Sequence, residues 1–176
     1  LRLAMPATAR EFGQRLFADQ PPREALAAQD QGDRLAMAGM VPPYGIANLV
    51  VEHVPAAIGL PTGRMRGNSH ALACFLIETF IDELAERAGR EPLSYRIAML
   101  GQDIRLAQCL QRAASLAEWN GGAGGSGQGL AIHHMQVAGR EGRIAVIASA
   151  RHDERGIRVD KLTAVVDIGR IVNVDI

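Results

Sequence analysis

Residues 63 to 70, Gly-Arg-Met-Arg-Gly-Asn-Ser-His, set Arg64 and Arg66 between two glycines directly before a long apolar run. The first turn of a helix carries unpaired backbone N–H groups and the positive end of the macrodipole, so it attracts anions. A guanidinium beside it adds a charge-assisted hydrogen-bond donor suited to a phosphate or an oxyanion. Arg66 abuts Gly67, which permits close backbone approach, and lies nearer the helix start than Arg64. The same residues also describe solvated surface charges on an ordinary turn. Residue types alone leave both readings open.

Other groupings are weaker. Gly122, Gly124 and Gly127 satisfy G-x-G-x-x-G, but that fingerprint works after a strand and before a helix, and here the order is reversed. His133 and His134 are adjacent, so in a strand they point to opposite faces and cannot share a metal. No CxxC, H-E-x-x-H or spaced carboxylate pair accompanies them, and no metal site is expected. Ser69-His70 lacks a nucleophile elbow and a spaced acid. No catalytic residue is assigned. Cys74 and Cys109 read as packed, reduced thiols. Gly169 in "DIGR" ends a strand.

The elements that must carry these residues follow from composition and pattern. The 176 residues are 48% hydrophobic and 22% charged, a globular balance. Basic and acidic residues number 19 each and aromatics are 4%, which argues against a nucleic-acid partner. No apolar run is long enough to span a membrane. The compartment, bacterial cytoplasm or periplasm, stays open. The chain reads as a piece of something larger. Residues 1–40 are alanine-rich and weakly patterned, with short helical stretches through Phe12, Leu16 and Phe17 and over 23–39. Residues 41–119 hold a strand, "GIANLVVEHV", the arginine-glycine loop and three helices. The first helix, 69–88, is capped by Asn68 or Ser69 and buries a stripe of Leu72, Leu76, Phe80 and Leu84. "EPLSYRIAML" is the second, with Pro92 in its first turn, and "IRLAQCLQRAASLAEW" the third. Residues 120–128 form a glycine-rich linker, and 129–176 supply three strands, with 143–168 an antiparallel hairpin. Strand, helices, then consecutive strands predict an α+β fold, with helices packed on a mixed or antiparallel sheet.

Four stretches then carry a resemblance: "PYGIANLVVEHVP", "GLPTGRMRGNSHALACFLIETFIDELAERAGREPLSYRIAML", "GLAIHH" and "KLTAVVDIGRIVNVDI". Together, over roughly residues 40–176, they resemble the molybdopterin-binding subunit of the xanthine dehydrogenase and aldehyde oxidase family. Within that family they most resemble the branch of the isoquinoline 1-oxidoreductase beta subunit, often described as membrane-bound aldehyde dehydrogenase. The resemblance implies a molybdopterin-binding domain in which Arg66, Gly67 and Asn68 lie beside the molybdenum cofactor. Met65, where an aromatic residue is usual, would line the substrate pocket. The terminal "VVDIGRIVNVD" resembles the family's "DCGRVVNPD", with Val174 in place of proline. The resemblance also implies hydroxylation of an aldehyde or an N-heterocycle with oxygen from water, and an iron–sulfur partner subunit. The family's glutamate base motif, "GxGE", does not occur, and Gly127-Gln128-Gly129 falls in the linker rather than in the family's "GQG" loop. The chain by itself is therefore expected to be inactive. Two alternatives stand beside this reading: a noncatalytic domain of the same fold that binds a protein, and an unrelated phosphate-ligand binder.

Overall fold

The structure is a computed structural model that describes residues 2–5, 36–55, 67, 69–122, 125–137, 139–171 and 173. It divides into two compact units. The first comprises Leu1–Val41 and Ile46–Ala73, the second Pro42–Gly45 and Cys74–Ile176. The expected helical stretches lie outside the described residues except at 36–39, which form a turn rather than a helix, and residues 2–5 form a strand that the sequence did not suggest.

In the first unit, β1 (Arg2–Met5) pairs in parallel with β2 (Glu52–Pro55). The strand expected over 45–54 is thus confined to its end, and residues 45–51 form no regular element. Ala36 and Met40 are fully buried on either side of a turn closed by Met40 N–H donating to Met37 O at 3.1 Å. Helix α1 (His70–Arg87) follows the arginine-glycine loop.

In the second unit α1 ends on a Schellman motif. Gly89 adopts φ +61, Arg90 N–H reaches Ala85 O at 2.9 Å, and Gly89 N–H reaches Glu86 O at 2.9 Å. Helix α2 (Pro92–Leu100) starts under Glu91, whose carboxylate accepts from the N–H groups of Leu93 and Ser94 at 2.9 and 2.7 Å. Helix α3 (Ile104–Ala117) is capped by Asp103 and closes the same way as α1, but with Glu118 in the left-handed region at φ 53.

The strands β3 (Ser126–Val137), β4 (Arg140–Asp153) and β5 (Gly156–Asp167) form an antiparallel meander in the order β3-β4-β5. The expected hairpin over 143–168 is present, turned through Glu154-Arg155 with Arg155 N–H bonded to Asp153 Oδ1. β3 begins at Ser126, so the last residues of the expected linker are strand. One register shift occurs between Ser149 and Ala150. Alternation puts Leu130, Ile132, Ala145 and Ile147 on the face that meets α3, whose Leu106, Cys109, Leu110, Ala113, Ala114 and Ala117 are buried. This is the α+β architecture that the order of elements implied.

The buried stripe of α1 differs from expectation. Ala73, Ile77, Ile81 and Ala85 are buried, whereas Leu72 and Phe80 are 44% and 57% exposed and Leu76 and Leu84 half-buried. Both series repeat every fourth residue, and the larger side chains favoured the wrong one. What sets the rotation is Glu78, which the observed stripe carries inward beside Ile77 and Ile81 to a buried arginine on α2. Ile81→Ala should therefore cost about 2–5 kcal/mol in urea unfolding, and Leu72→Ala less than about 0.5 kcal/mol.

Glu91 supplies a pH prediction. Its slight burial would raise the carboxyl, but hydrogen bonds from Ser94, Leu93 N–H and the Trp119 indole hold it down at about 2 rather than 4.5. A depressed carboxyl contributes stability above its unfolded value and loses it as the pH falls through the folded one. The midpoint advantage of wild type over Glu91→Gln should be constant above pH 5 and disappear between about pH 4.5 and 2, remaining modest because the group is solvent-screened.

Candidate functional site

Of the loop residues singled out in the sequence, Arg64, Met65, Arg66 and Asn68 lie outside the described residues. Gly67 and Ser69 are described, both in the first unit. Gly67 is exposed, with φ +89, a conformation that side chains rarely adopt, and among the described residues no atom other than its chain neighbours lies within 4 Å of where a Cβ would sit. Its carbonyl accepts from His70 N–H at 3.0 Å, which turns the chain into α1. Ser69 is buried, and its hydroxyl donates to Ala38 O at 2.8 Å. Partial burial holds the His70 imidazole below its ordinary pKa, favouring the neutral ring. The first turn of α1 carries no acidic residue, so nothing there opposes the positive end of the helix.

The second unit holds a buried polar cluster that the sequence did not reveal. Arg96 is fully buried. Its Nε donates to Glu78 Oε2 at 3.0 Å, its NH2 to Glu78 O at 3.0 Å and its NH1 to Asp82 Oδ1 at 2.7 Å. Glu78 also accepts from the Tyr44 hydroxyl at 2.8 Å and from Ile132 N–H at 3.1 Å. Burial pushes the Glu78 carboxyl up while Arg96 and the hydrogen bonds pull it down; burial also raises the Tyr44 hydroxyl. Each side-chain nitrogen and oxygen of the Glu78–Arg96 pair has a partner within the protein. The cluster is structural.

A third grouping lines an open pocket of about 390 Å³ formed by Pro42–Gly45, Leu100, Gln102, Asp103, His134 and Arg143. Arg143 and His134 face each other across the β3–β4 ladder. Arg143 Nε bonds both oxygens of Asp103 at 2.8 and 3.0 Å, and its NH2 bonds Glu141 at 2.9 Å. His134 Nδ1 lies 3.4 Å from Asp103 and Nε2 3.8 Å from Glu141. Two carboxylates outnumber one guanidinium, so the pocket offers an incoming anion no surplus positive charge. The pairing of His134 with Arg143 was readable only after the tight turn at Gly139 had been placed. Gln128, in the "GQG" run, instead ties the chain after α3 to the sheet: its Oε1 accepts from Asn120 and Gly121 N–H, and its Nε2 donates to Ala117 O and Ser149 Oγ.

Among the three, the start of α1 is the one whose first turn carries no acidic residue. Sequence comparison adds one relative to the chain as a whole. The chain is distantly similar to an oxidoreductase subunit. The relative is isoquinoline 1-oxidoreductase subunit beta of Brevundimonas diminuta, 25% identical over 114 residues. That stretch is 64% of this chain and 15% of the relative, so the chain spans a small part of the relative's length. No family model matches the chain.

The buried ion pair gives a direct test of its weight. Arg96→Met should destabilise the protein by about 3–5 kcal/mol, because it leaves the Glu78 carboxylate buried without its counter-charge. Adding Glu78→Gln should recover part of that loss, a coupling of about 0.5–3 kcal/mol in a double-mutant cycle read from urea midpoints.

Proposed function

We propose that this chain is part of the large subunit of a molybdenum hydroxylase, and that Arg66, Gly67 and Asn68 at the start of α1 bind its molybdopterin cofactor. The observation that carries the reading is the distant likeness to an isoquinoline 1-oxidoreductase subunit. A molybdopterin is anionic through its phosphate and dithiolene sulfurs. The described residues suit such a group: Gly67 leaves its Cα face open, and the N–H groups of the first turn of α1 follow without an acidic residue. When bound, the cofactor supplies hydroxylation of an aldehyde or an N-heterocycle with oxygen taken from water. The task of this chain is to hold it. Arg66 contributes a charge-assisted donor, Gly67 a close backbone approach, and Met65 a lining side chain on the substrate side. Electrons would leave through an iron–sulfur partner subunit, in keeping with the relative's name as a subunit. The general base would come from elsewhere in the parent enzyme, so residues 1–176 alone should not turn over substrate.

In the full-length parent, Arg66→Ala should lower molybdenum content per chain or substrate-dependent dye reduction about tenfold or more, the effect of losing a charge-assisted hydrogen bond. Arg64→Ala should do less. Unchanged content and rate in the Arg66 variant would return the loop to an ordinary helix entry.

A further inference from the structure

The open pocket beside the start of α3 lies wholly within the second unit and takes no part in the proposed cofactor site. Its wall holds polar atoms that the protein does not satisfy. Among the described residues three buried side-chain polar atoms have no hydrogen-bond partner, and two of them, His134 Nε2 and Arg143 NH1, belong to residues of this wall. Buried polar groups in folded proteins are nearly always paired, so two orphans in one wall call for a partner from outside the chain. His134 and Arg143 are cross-strand neighbours on β3 and β4, which sets their side chains next to each other. Arg143 is 8% exposed, and the other edge of its guanidinium is already held, Nε by Asp103 and NH2 by Glu141. The side chain therefore cannot turn to satisfy NH1 without giving up bonds that it has.

The two atoms specify what the partner must carry. A guanidinium nitrogen only donates, so Arg143 NH1 requires an acceptor. On His134, Nδ1 lies 3.4 Å from Asp103 Oδ2. A carboxylate on that side favours the tautomer with its proton on Nδ1, which leaves Nε2 an acceptor in need of a donor. Charge narrows the choice further. Asp103 and Glu141 outnumber the one guanidinium, which disfavours a carboxylate or phosphate, and a cation without an acceptor leaves NH1 unmet. Pro42, Pro43, Leu100 and Tyr44, whose hydroxyl is committed to Glu78, supply apolar walls, and about 390 Å³ holds a molecule of one ring. Glu141 stands 3.8 Å from Nε2 with its side chain 44% exposed, so it is the part of the wall that can swing aside on entry. We propose that this pocket binds a small uncharged molecule through an amide edge, its carbonyl accepting from Arg143 NH1 and its N–H donating to His134 Nε2.

The experiment titrates the 176-residue chain with benzamide, benzoate, benzamidinium and N,N-dimethylbenzamide near neutral pH and follows backbone amide shifts by NMR. The first three probes match in shape and differ in charge, and the fourth keeps the carbonyl but has no N–H. Benzamide should give saturable shifts at Gln102, His134 and Arg143, with benzoate and benzamidinium about tenfold or more weaker. Dimethylbenzamide should bind two- to tenfold more weakly than benzamide, the effect of one neutral hydrogen bond. His134→Phe keeps a ring on β3 and leaves Asp103 with Arg143. It should weaken benzamide by that same factor and leave dimethylbenzamide unchanged. Arg143→Lys keeps the charge beside Asp103 and should weaken both amides; if it does not fold, the four probes and the His134 variant decide alone. No saturable shift with benzamide at these residues would overturn the inference. So would benzoate binding as tightly as benzamide, which marks an ordinary exposed guanidinium, or benzamide affinity unaltered in His134→Phe.

Discussion

The arrangement of the second unit hangs on one buried ion pair. Taking the Glu78 carboxylate and the Arg96 guanidinium out of water costs several kcal/mol per ion. The cost is offset only because every available oxygen and N–H finds a partner: the Tyr44 hydroxyl, the Ile132 amide, Asp82, and the carbonyls of Glu78 and Pro92. Those partners come from four stretches of chain, namely residues 42–45, α1, α2 and β3. Apolar burial along Ala73, Ile77, Ile81 and Ala85 has no preferred direction and would tolerate a rotated helix. The ion pair does not. A turn of α1 by one residue would strand a charge, so electrostatics selects the face that hydrophobicity then fills.

The same logic recurs where α3 lies on the sheet. Its apolar stripe supplies the contact area, while polar side chains hold its two ends in register. At the first end Asp103 serves both as helix cap and as the partner of Arg143 on β4, and Arg105 bonds Asp167 on β5. At the other, Gln128 of β3 grips the residues that leave the helix. A helix fastened at both ends cannot slide along the strands, and the tight core of alanine and leucine beneath it requires that it should not.

Much of this was legible in the sequence, and the failures have physical causes. Pro92 after Glu91, Gly89 at a helix end and the polar turn before Gly156 are local signals, and the elements that they punctuate came out as expected. Long-range choices were not legible in the same way. The face of α1 could not be chosen from periodicity, because two neighbouring stripes were both apolar. Glu78, the first charged residue in the apolar run of that helix, and the lone Arg96 in "PLSYRIAML" were the available hint, since a charge inside an apolar run calls for a partner. The strand expected from residue 45 was cut short at Glu52, where pairing with β1 begins, and β-branched residues without a neighbouring strand have nothing to pair with. At the candidate site Gly67 and Ser69 were read from type and position, but the reach of Ser69 to Ala38 depends on a contact between distant residues that no spacing encodes.

The edge of β3 has a further property. Both polar main-chain groups of Ile132 are occupied by α1, its N–H by Glu78 and its carbonyl by the Cys74 thiol at 3.6 Å. Burial pushes that thiol up to about 11, so near neutral pH it is almost wholly the unreactive S–H form. The thiol is only half-buried, so what quiets it is its raised pKa together with its hydrogen bond to the strand carbonyl. Helix and strand mask each other here: the carboxylate and the thiol of α1 close a stretch of sheet edge that would otherwise invite another strand, and the strand in turn keeps the thiol protonated and quiet.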